Sequence, residues 1–361
     1  MMSDSPLIIG FDVRPVIVPL HPPLRTASGV MATAPLVLLD IRTNGGVTGS
    51  SYIFTYTPVV LEGVAQVLRH ILPLIESARL EPRANMAALR RKFILIGTPG
   101  LLDMALAAID MALWDAHARF LGSPLVRLLG GTPSKTLAYA SFGMEPPNEA
   151  APLIEAAMRA GFRAIKIKIG YPTLEEDLLA IRAAKSLLGS SGKLMVDYNQ
   201  SLTVPEAIRR GRALDEEGLE WIEEPTRYDD FDGHAKISAA LRTPIQLGEN
   251  LYGPREVSRS IRQESSDLMM LDLMKIGGVS GWLDAAAVCS ASAIPVSTHF
   301  FQEASAHLQS LTPTAHYLEY FGLADGVLAD PLCVTDGYVE PAEHPGLGIQ
   351  WNADAIRRFA A

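Results

Sequence analysis

The sequence has little cysteine: Cys289 and Cys333 are the only two in 361 residues. Two cysteines cannot build a disulfide framework in a chain of this length, so we expect a reducing, cytoplasmic location. Basic residues are also scarce, with 31 Lys and Arg against 40 Asp and Glu and a formal net charge of -9. Because a nucleic-acid binder needs a basic excess to neutralise phosphates, nucleic acid is excluded as a partner.

Long apolar runs are missing too. No stretch of about 18 uninterrupted apolar residues occurs, which excludes an ordinary membrane span and a membrane partner. Asp4, Asp12 and Arg14 interrupt the N-terminal stretch, which has no basic segment followed by an apolar core, so no signal peptide is expected. The chain is 48% hydrophobic and 20% charged, which is typical of a soluble globular protein.

The N-terminal third predicts a small α+β unit. Residues 8–20 and 36–41 are rich in strand formers, and Asn44-Gly45-Gly46 is a strong hairpin signal before a partner strand at 47–54. Apolar residues then recur at helical spacing over 59–77 and 101–120. We therefore predict an α+β capping domain over residues 1–132.

The pattern of apolar residues changes near residue 135. Short apolar segments recur with start-to-start spacings of about 22 to 30 residues and helical patterns in most gaps. The strand candidates are 136–142, 163–169, 193–199, 221–225, 244–250, 268–275, 294–300 and 316–322. Eight β-then-α units predict a closed parallel barrel. The predicted fold class is therefore α/β, a modified (β/α)-barrel over residues 133–330, with a tail at 331–361 that packs back on the cap.

Ionisable side chains lie at the ends of the strand candidates from the second onward. They are Lys166 and Lys168, Asp197, Glu223, Glu249, Asp272, His299 and Glu319. One such residue is usually a solvated loop neighbour or a cap. Seven consecutive strands that end this way bring their side chains into one small volume, because the active site of a barrel lies at the C-terminal ends of its strands.

Asp197, Glu223 and Glu249 come from three successive strands and are expected to be neighbours. Close carboxylates repel each other and must be protonated, paired with cations or bound to a metal. Oxygen ligands favour a hard cation, Mg²⁺ first and Mn²⁺ second. Neutralisation by nearby lysines is the competing interpretation.

Two basic groups are expected to flank this site. Lys166 and Lys168 face the same side of their strand; on a surface strand they would be a solubilising edge device. Inside a barrel, mutual repulsion and desolvation lower the pKa of one of the two lysines, so that this lysine can act as a base.

The second basic group is His299, and Asp272 beside it would fix the tautomer of its imidazole ring. Since the second and seventh strands lie on opposite sides of the ring, Lys168 and His299 would approach a bound carbon from opposite faces.

Two further rim features carry weaker signals. Glu319 has two open interpretations: a neutral acid that donates a hydrogen bond to a developing oxyanion, or an ion pair with a neighbouring lysine. The glycine-rich run at 275–281 lacks the spacing of a phosphate-binding loop. It predicts a tight strand-to-helix turn, with Lys275 supporting the site from behind.

As a set, these residues resemble the mandelate racemase subgroup of the enolase superfamily. The resemblance is carried by the order Lys-x-Lys, Asp, Glu, Glu, Asp, His, Glu and by the strings RAIKIKIG (163–170), MVDYNQS (195–201), WIEEP (221–225), MKIGG (274–278) and TPTAH (312–316). It implies that Asp197, Glu223 and Glu249 bind Mg²⁺. It also implies a small carboxylate substrate and a homo-oligomer.

The resemblance further implies roles for the other rim residues. Lys168 and His299 would be the two bases, Asp272 would orient His299, Lys166 would bind the substrate carboxylate, and Glu319 would be the electrophilic acid. It places Asn199 and Ser141 near the substrate.

Substrate choice is expected to lie in the cap, in a loop over residues 20–31 and in Tyr56. Leu24, Met31, Tyr56 and Phe300 would form an apolar wall that favours an aryl or alkyl 2-hydroxy acid. Arg25 and Ser28 depart from this apolar pattern, and an inward-facing Arg25 would favour a second anionic or hydroxylated group.

These features favour racemisation of mandelate or a related 2-hydroxy acid by 1,1-proton transfer through a metal-stabilised enediolate. The alternative is an acid-sugar dehydratase, which eliminates water through the same intermediate. A barrel that binds a ligand without catalysis is the third interpretation.

Overall fold

The first sheet of the protein is antiparallel and comes from the N-terminal part of the chain. In this computed structural model, which describes residues 5–27 and 29–361, its strands are β1 (Ile8–Thr26), β2 (Gly29–Thr43) and β3 (Thr48–Phe54), in the order β1-β2-β3. The β2–β3 turn lies where the Asn-Gly-Gly signal predicts it. Gly46 has a φ of +76° there, which glycine adopts without strain.

The tip of the β1–β2 hairpin differs from the prediction. Residues 20–26 and 29–31 belong to strands and not to a loop, and the two strands pair with Leu24 opposite Met31 and Arg25 opposite Val30. The prolines of this stretch are tolerated because β1 is an edge strand and its register shifts after Pro19. Ser28, a predicted departure from the apolar pattern, lies outside the described residues.

Four helices follow this sheet. They are α1 (Leu61–Ile71), α2 (Pro82–Lys92), α3 (Leu101–Phe120) and α4 (Leu125–Leu128). α3 spans the predicted residues and lies so close to β3 that a Cβ at Gly49 would collide with the backbone of Ala112. The sequence does not predict α2, because Met86 and Leu89 are its only large apolar residues that are buried.

One helical segment of the cap, Pro58–Ile75, is long and apolar enough to cross a membrane by length and composition alone. It is not an uninterrupted apolar run, because it contains Glu62, Arg69 and His70. In the structure its buried apolar residues join the hydrophobic core of the cap, whereas Val59 and Leu74 are exposed. Core helices of soluble proteins can be equally long and apolar, so length and composition make this segment only weak evidence for a membrane span.

The second sheet is parallel and forms the barrel. Its strands are β4 (Thr136–Ser141), β5 (Ala164–Lys168), β6 (Lys193–Asp197), β7 (Ile222–Glu223), β8 (Ile245–Leu247), β9 (Leu268–Asp272), β10 (Val296–His299) and β11 (Tyr317–Tyr320). All eight lie within the predicted segments. Neighbours pair in the order β10-β9-β8-β7-β6-β5-β4-β11. A parallel bridge between Val296 and Ala315 joins the two ends, so the ring nearly closes.

Helices on the outside connect consecutive strands. They are α5 (Pro147–Arg159), α6 (Leu174–Leu188), α7 (Val204–Leu214), α8 (Phe231–Ala240), α9 (Gly253–Arg262), α10 (Leu273–Ile276), α11 (Gly278–Ala291) and α12 (Gln302–Gln309). The eighth strand is followed by a 3-10 turn, Asp325–Val327, rather than an α-helix. The prediction of eight β-then-α units is therefore wrong in its last helix.

The C-terminal segment returns to the cap. It contains β12 (Tyr338–Val339), which pairs antiparallel with β4, and α13 (Ala353–Phe359). Ala361 N donates to Pro15 O at 3.2 Å, and Trp351 Nε1 donates to Asp40 Oδ1 at 2.8 Å. The whole is a modified barrel with an N-terminal α+β cap, which confirms the predicted fold class.

The interior of the barrel is closed below its rim. Tyr139, Met270 and Tyr317 on three strands and Trp221 directly before β7 form one buried cluster, with ring centroids 5.5–6.2 Å apart among the aromatic members. A packed interior leaves only the C-terminal rim for polar side chains to meet a ligand.

Candidate active site

Three acidic side chains lie at the rim on neighbouring strands. Asp197 ends β6 and Glu223 ends β7, and the two residues are register partners. Glu249 follows β8 after Gly248, which has a φ of +138° and whose Cβ would collide with the carbonyl of Met270. Glycine alone fits this turn without strain, and the turn directs Glu249 toward the other two acids.

The carboxylates of Asp197, Glu223 and Glu249, called the acid trio below, converge. One oxygen from each lies within 4.8 Å of the others, and all three side chains are buried. An oxygen-only donor set of this kind suits a hard divalent cation, above all Mg²⁺. The side chains present therefore fit the predicted metal.

The rim holds more negative than positive groups. The buried carboxylates are Asp197, Glu223, Glu224, Glu249, Asp272 and Glu319, and the buried bases are Lys166, Lys168, Lys275 and His299. Burial raises the pKa of Glu223 to about 8, with repulsion from Asp197 and Glu249 acting in the same direction and Lys166 against it. A divalent cation would neutralise this excess, so the electrostatics agree with the donor set.

Both lysines of β5 point into the barrel, as their spacing predicts. Lys166 Nζ lies 2.8 Å from Glu223 Oε1 and 2.9 Å from Glu319 Oε1. Lys168 Nζ lies 2.5 Å from Asp197 Oδ2. The two ammonium groups therefore contact different acids, with Lys166 deeper in the site at 1% exposure and Lys168 at 8%.

The pKa of Lys168 shifts opposite to the direction expected from the lysine pair alone. Burial and Lys166 both lower it, but Asp197, Glu249 and Glu223 raise it more, so it lies above the usual lysine value. That expectation is wrong because it omits the close contact with Asp197. A cation held by Asp197 would take up that carboxylate's charge, and the two lowering effects would remain.

Asp272 and His299 form a pair on adjacent strands, where they are register partners. Their closest atoms, His299 Nδ1 and Asp272 Oδ2, are 2.6 Å apart. Since a carboxylate only accepts, Nδ1 carries the hydrogen and Nε2 faces the acid trio, 3.3 Å from Glu249 Oε2. Burial lowers the pKa of His299, but Glu249 and Asp272 outweigh it, and the net pKa is raised.

The two predicted bases lie at opposite ends of the acid trio. Lys168 contacts Asp197 at one end, His299 contacts Glu249 at the other, and Glu223 lies on the strand between them. A substrate held against the trio would therefore have one nitrogen on either flank.

Glu319 shows the contacts of an ionised carboxylate. It pairs with Lys166, and its Oε2 accepts from Phe300 N at 3.2 Å. Burial raises its pKa, but Lys166 and His299 lower it more, so the net pKa lies below the usual value. Of the two interpretations that the sequence leaves open, the ion pair is the one present in this arrangement.

Asn199 and Ser141, the predicted polar substrate contacts, occupy different places. Asn199 donates from N and Nδ2 to Asp197 at 2.7 and 2.9 Å, while its Oδ1 is buried with no partner among the described residues. Ser141 ends β4, opposite Lys166 in the register, and is buried. Asn199 thus holds a metal-ligand candidate, and Ser141 lies on the neighbouring strand.

An aromatic group leads from His299 toward the cap. Phe300 lies 3.8 Å from the His299 ring, and it also contacts Phe54 at 5.8 Å and Phe321 at 5.4 Å between centroids. Tyr56 lies 4.6 Å from Phe54. Tyr56 and Phe300 are predicted members of the apolar wall, whereas Phe54 and Phe321 were missed. Leu24 and Met31 belong to the same hydrophobic cluster.

A cavity of about 590 Å³ lies beside this aromatic group, between the hairpin and the ends of β4 and β11. Leu24, Ser141 and Phe321 line it. This volume is within the range of small-molecule sites. Leu24 and Ser141 therefore border a mainly apolar space, but the acid trio, Lys166, Lys168 and His299 do not line it, so this cavity lies beside the candidate site and not within it.

Arg25 does not share this setting. Its side chain is exposed, and its backbone carbonyl accepts a hydrogen bond from Met144 N at 2.9 Å. Burial raises the pKa of the Glu145 carboxyl group, and the positive charge of Arg25 lowers it. Its guanidinium therefore lies near Glu145 at the β4–α5 loop.

Two residues next to the trio, Glu224 and Asn250, are not among the predicted site residues. Asn250 Nδ2 donates to Glu224 Oε1 and Oε2 at 2.9 and 2.8 Å and to Glu249 Oε1 at 3.1 Å. Both residues directly follow trio members in the sequence, and that adjacency was the available signal. Lys275, expected to support the site, donates to Asn250 Oδ1 at 2.5 Å.

A barrel with a buried acid trio at its rim, a lysine at one end and an Asp-paired imidazole at the other defines a class: enzymes that abstract a proton next to a carboxylate with the help of a divalent metal. Comparison with known families agrees. Residues 8–130 match the N-terminal domain of mandelate racemase / muconate lactonizing enzyme, and residues 149–355 match the enolase C-terminal domain-like family. The chain belongs to this family of the enolase superfamily, and its chemistry is Mg²⁺-dependent enediolate chemistry.

Similar proteins of this family carry out different reactions. The structure of an enolase from Bradyrhizobium complexed with magnesium and mandelic acid is 42% identical, with a TM-score of 0.96 over 100% of both chains. The 3,6-anhydro-α-L-galactonate cycloisomerase of Streptomyces coelicolor is 33% identical over 92% of this chain and 93% of its own. The L-talarate/galactarate dehydratase of Salmonella typhimurium is 29% identical over 89% and 82%, respectively.

Proposed function

We propose that this protein racemises mandelate or a closely related aryl or alkyl 2-hydroxy acid by two-base 1,1-proton transfer. The observation that carries the proposal is the placement of Lys168 and His299 at opposite ends of the acid trio. A racemase needs one group that removes the α-proton from one face and another that returns a proton to the other face. The mandelic acid complex of the 42% identical Bradyrhizobium enolase supports the substrate class.

In the proposed mechanism, Asp197, Glu223 and Glu249 would hold Mg²⁺, or Mn²⁺ as a substitute, which would supply positive charge against the substrate carboxylate. Lys166, whose ammonium is buried between Glu223 and Glu319, binds a carboxylate oxygen. Once the substrate carboxylate engages Lys166, Glu319 loses part of the pairing that lowers its pKa, and in its protonated form it would donate a hydrogen bond to that carboxylate. Asn199 would contact the substrate from the side of Asp197, and Ser141 would contact it from β4.

Proton transfer then needs only the two flanking nitrogens. A neutral Lys168 takes the α-proton, and the electron pair of the C–H bond moves into the carboxylate to give the enediolate. Protonated His299 returns a proton to the opposite face, which yields the other enantiomer. Asp272 keeps the Nδ1 hydrogen in place, so that Nε2 faces the substrate in both directions.

The apolar surroundings support an aryl or alkyl side chain on the substrate. The aromatic group next to His299 offers few polar partners. Met31 and Tyr56 would complete the predicted wall, while the charge of the exposed Arg25 acts on Glu145. A polyhydroxylated acid would leave its hydroxyl groups unpaired against such a surface.

Elimination of water from an acid sugar is the alternative. It is supported by the 29% identical L-talarate/galactarate dehydratase and by the His299–Asp272 pair, since a protonated imidazole could protonate a leaving hydroxyl group.

We also propose that the chain divides into a cap (1–132), a barrel (133–330) and a tail (331–361). We propose further that the enzyme is a homo-oligomer and is cytoplasmic.

Incubation with Mg²⁺ and single enantiomers in deuterated water separates the two reactions. For mandelate we expect deuterium at the α-carbon together with loss of optical rotation, measured by NMR and polarimetry. Acid sugars run in parallel serve as the comparison. A 2-keto acid from one of them, without exchange in mandelate, would establish the dehydratase instead.

A further inference from the structure

Behind the acid trio lies a row of hydrogen bonds that proton transfer does not use. Lys275 Nζ is 2.5 Å from Asn250 Oδ1, and Asn250 Nδ2 is 3.1 Å from Glu249 Oε1 and 2.8–2.9 Å from both oxygens of Glu224. An ammonium only donates and a carboxylate only accepts. The orientation of the Asn250 amide is therefore fixed by Lys275 on one side and by two carboxylates on the other.

Asn250 lies between Glu224 and Glu249 and donates a hydrogen bond to each of these acids. Glu224 is 1% exposed and Glu249 is 7% exposed, so water cannot screen their repulsion. The Asn250 amide donates to both acids, but it holds this orientation only while a donor engages its oxygen. Lys275 supplies that donor.

Lys275 also contacts the rest of the site. Its backbone N donates to Asp272 Oδ1 at 3.0 Å, and its Nζ lies 4.8 Å from the ring centroid of Tyr56 in the cap. With 5% exposure, the ammonium is enclosed between the metal-ligand turn and the cap. One side chain thus links the Glu249 turn with Tyr56, and its backbone holds the carboxylate that orients His299.

We propose that Lys275 is a positioning residue that holds Glu249 in its metal-binding orientation through Asn250 and takes no part in proton transfer. This inference rests on the proposed function only in taking the acid trio as the Mg²⁺ site. Partners of this kind, one contact removed from the metal, typically account for about 10- to 100-fold in metal affinity.

The test measures Mg²⁺ binding directly, by isothermal titration calorimetry on chelator-treated protein. We expect Lys275→Met to weaken Mg²⁺ binding about 10- to 100-fold and Lys275→Arg, which keeps a donor, to retain it within about threefold. Lys236→Met, on the exposed face of α8, is the matched control and should bind Mg²⁺ like the unaltered protein. Asn250→Ala removes the same connection by a smaller change, so it tests the proposal even where Lys275→Met does not fold.

Kinetics distinguish positioning from catalysis. At saturating Mg²⁺ we expect Lys275→Met to recover most of its α-deuterium exchange, with both enantiomers affected alike. Unchanged Mg²⁺ affinity in Lys275→Met and Asn250→Ala would overturn the proposal, as would loss of exchange from one enantiomer alone. Should the unaltered protein exchange no tested acid, the proposed function fails, while the binding measurements still decide the role of Lys275.

Discussion

At the scale of single residues, the site is governed by pairing of buried charges. Lys166, Asp197, Glu223, Asp272 and Glu319 are each only 1% exposed. Isolated charges at such depth would cost several kcal/mol each, and removal of one partner from a buried pair typically costs about 3–5 kcal/mol. Variants that keep side-chain volume are therefore the informative ones.

The two-base assignment predicts different defects for Lys168→Met and His299→Asn. We expect each variant to lose racemisation by at least the 10²–10⁴-fold typical of a lost general base. Each should still exchange the α-proton of the one enantiomer whose proton faces the remaining base. Exchange of each enantiomer in deuterated water, followed by NMR, measures this.

The control for this pair is Lys193→Met, at the opposite, exposed end of β6, which should keep full activity. Equal loss of exchange from both enantiomers in both variants would contradict the assignment of one base to each face.

Local spacing predicts the direction of the two β5 lysine side chains but not the residues that they contact. The spacing of Lys166 and Lys168 predicts that both enter the barrel, and they do. It does not predict which acid each one meets. The pKa direction of Lys168 and the ion pair of Glu319 both depend on those contacts.

At the scale of elements, the turn after each barrel strand sets the position of the site. β8 ends at Leu247, and the chain must reverse direction at Gly248 to bring Glu249 to the trio. The approach of Gly248 to the Met270 carbonyl on the next strand leaves no room for a side chain. The glycine is therefore required by packing as well as by its φ.

Gly248→Ala is predicted to lower both stability and metal binding. A strained φ alone costs about 1–3 kcal/mol, and the collision with Met270 adds displacement of Glu249. Gly253→Ala is a matched control, because Gly253 also has a positive φ, +71°, but has open space around its Cβ. Urea denaturation and Mg²⁺ titration of both variants provide the measurement. Equal Mg²⁺ affinity in the two would show that this turn does not position Glu249.

At the scale of the whole molecule, the cap and the barrel are joined by buried polar contacts. Tyr52 of β3 donates to Glu303 of α12 at 2.8 Å, and the second Glu303 oxygen is buried with no partner among the described residues. Burial raises the pKa of Glu303 from 4.5 to about 7. This acid lies only four residues after His299, so the cap contacts the segment that carries the proposed second base.

A pH dependence of stability follows from Glu303. Between its unfolded and folded pKa the folded protein keeps a proton that the unfolded chain releases, so the free energy of unfolding falls as pH rises from about 4.5 to about 7. The full effect is about 3 kcal/mol. Glu303→Gln should flatten this slope in urea titrations at several pH values. The exposed Glu340→Gln should leave the slope unchanged, and an unaltered slope in Glu303→Gln would contradict the assignment.

Metal binding should stabilise the entire fold, since the acid trio joins three strands of the barrel. At an Mg²⁺ concentration about 100-fold above its Kd, linkage gives about 2.7 kcal/mol. We expect Tm to rise with Mg²⁺ in scanning calorimetry, and Asp197→Asn to remove the rise. The exposed Asp336→Asn is the control. A rise that persists in Asp197→Asn would place the cation elsewhere.

The sequence by itself determined the spacing of the barrel strands along the chain, the β2–β3 hairpin of the cap and the set of rim residues. Periodicity and strand-end position are local properties, and a parallel barrel turns strand ends into neighbours by geometry alone. The tertiary structure alone decided the strand pairing over residues 20–26 and 29–31, the effect of the Arg25 charge on Glu145, and the hydrogen bonds between Asn250 and Glu224. Those features depend on distances between segments far apart in the chain, and side-chain pairing and burial there have no signature in local spacing.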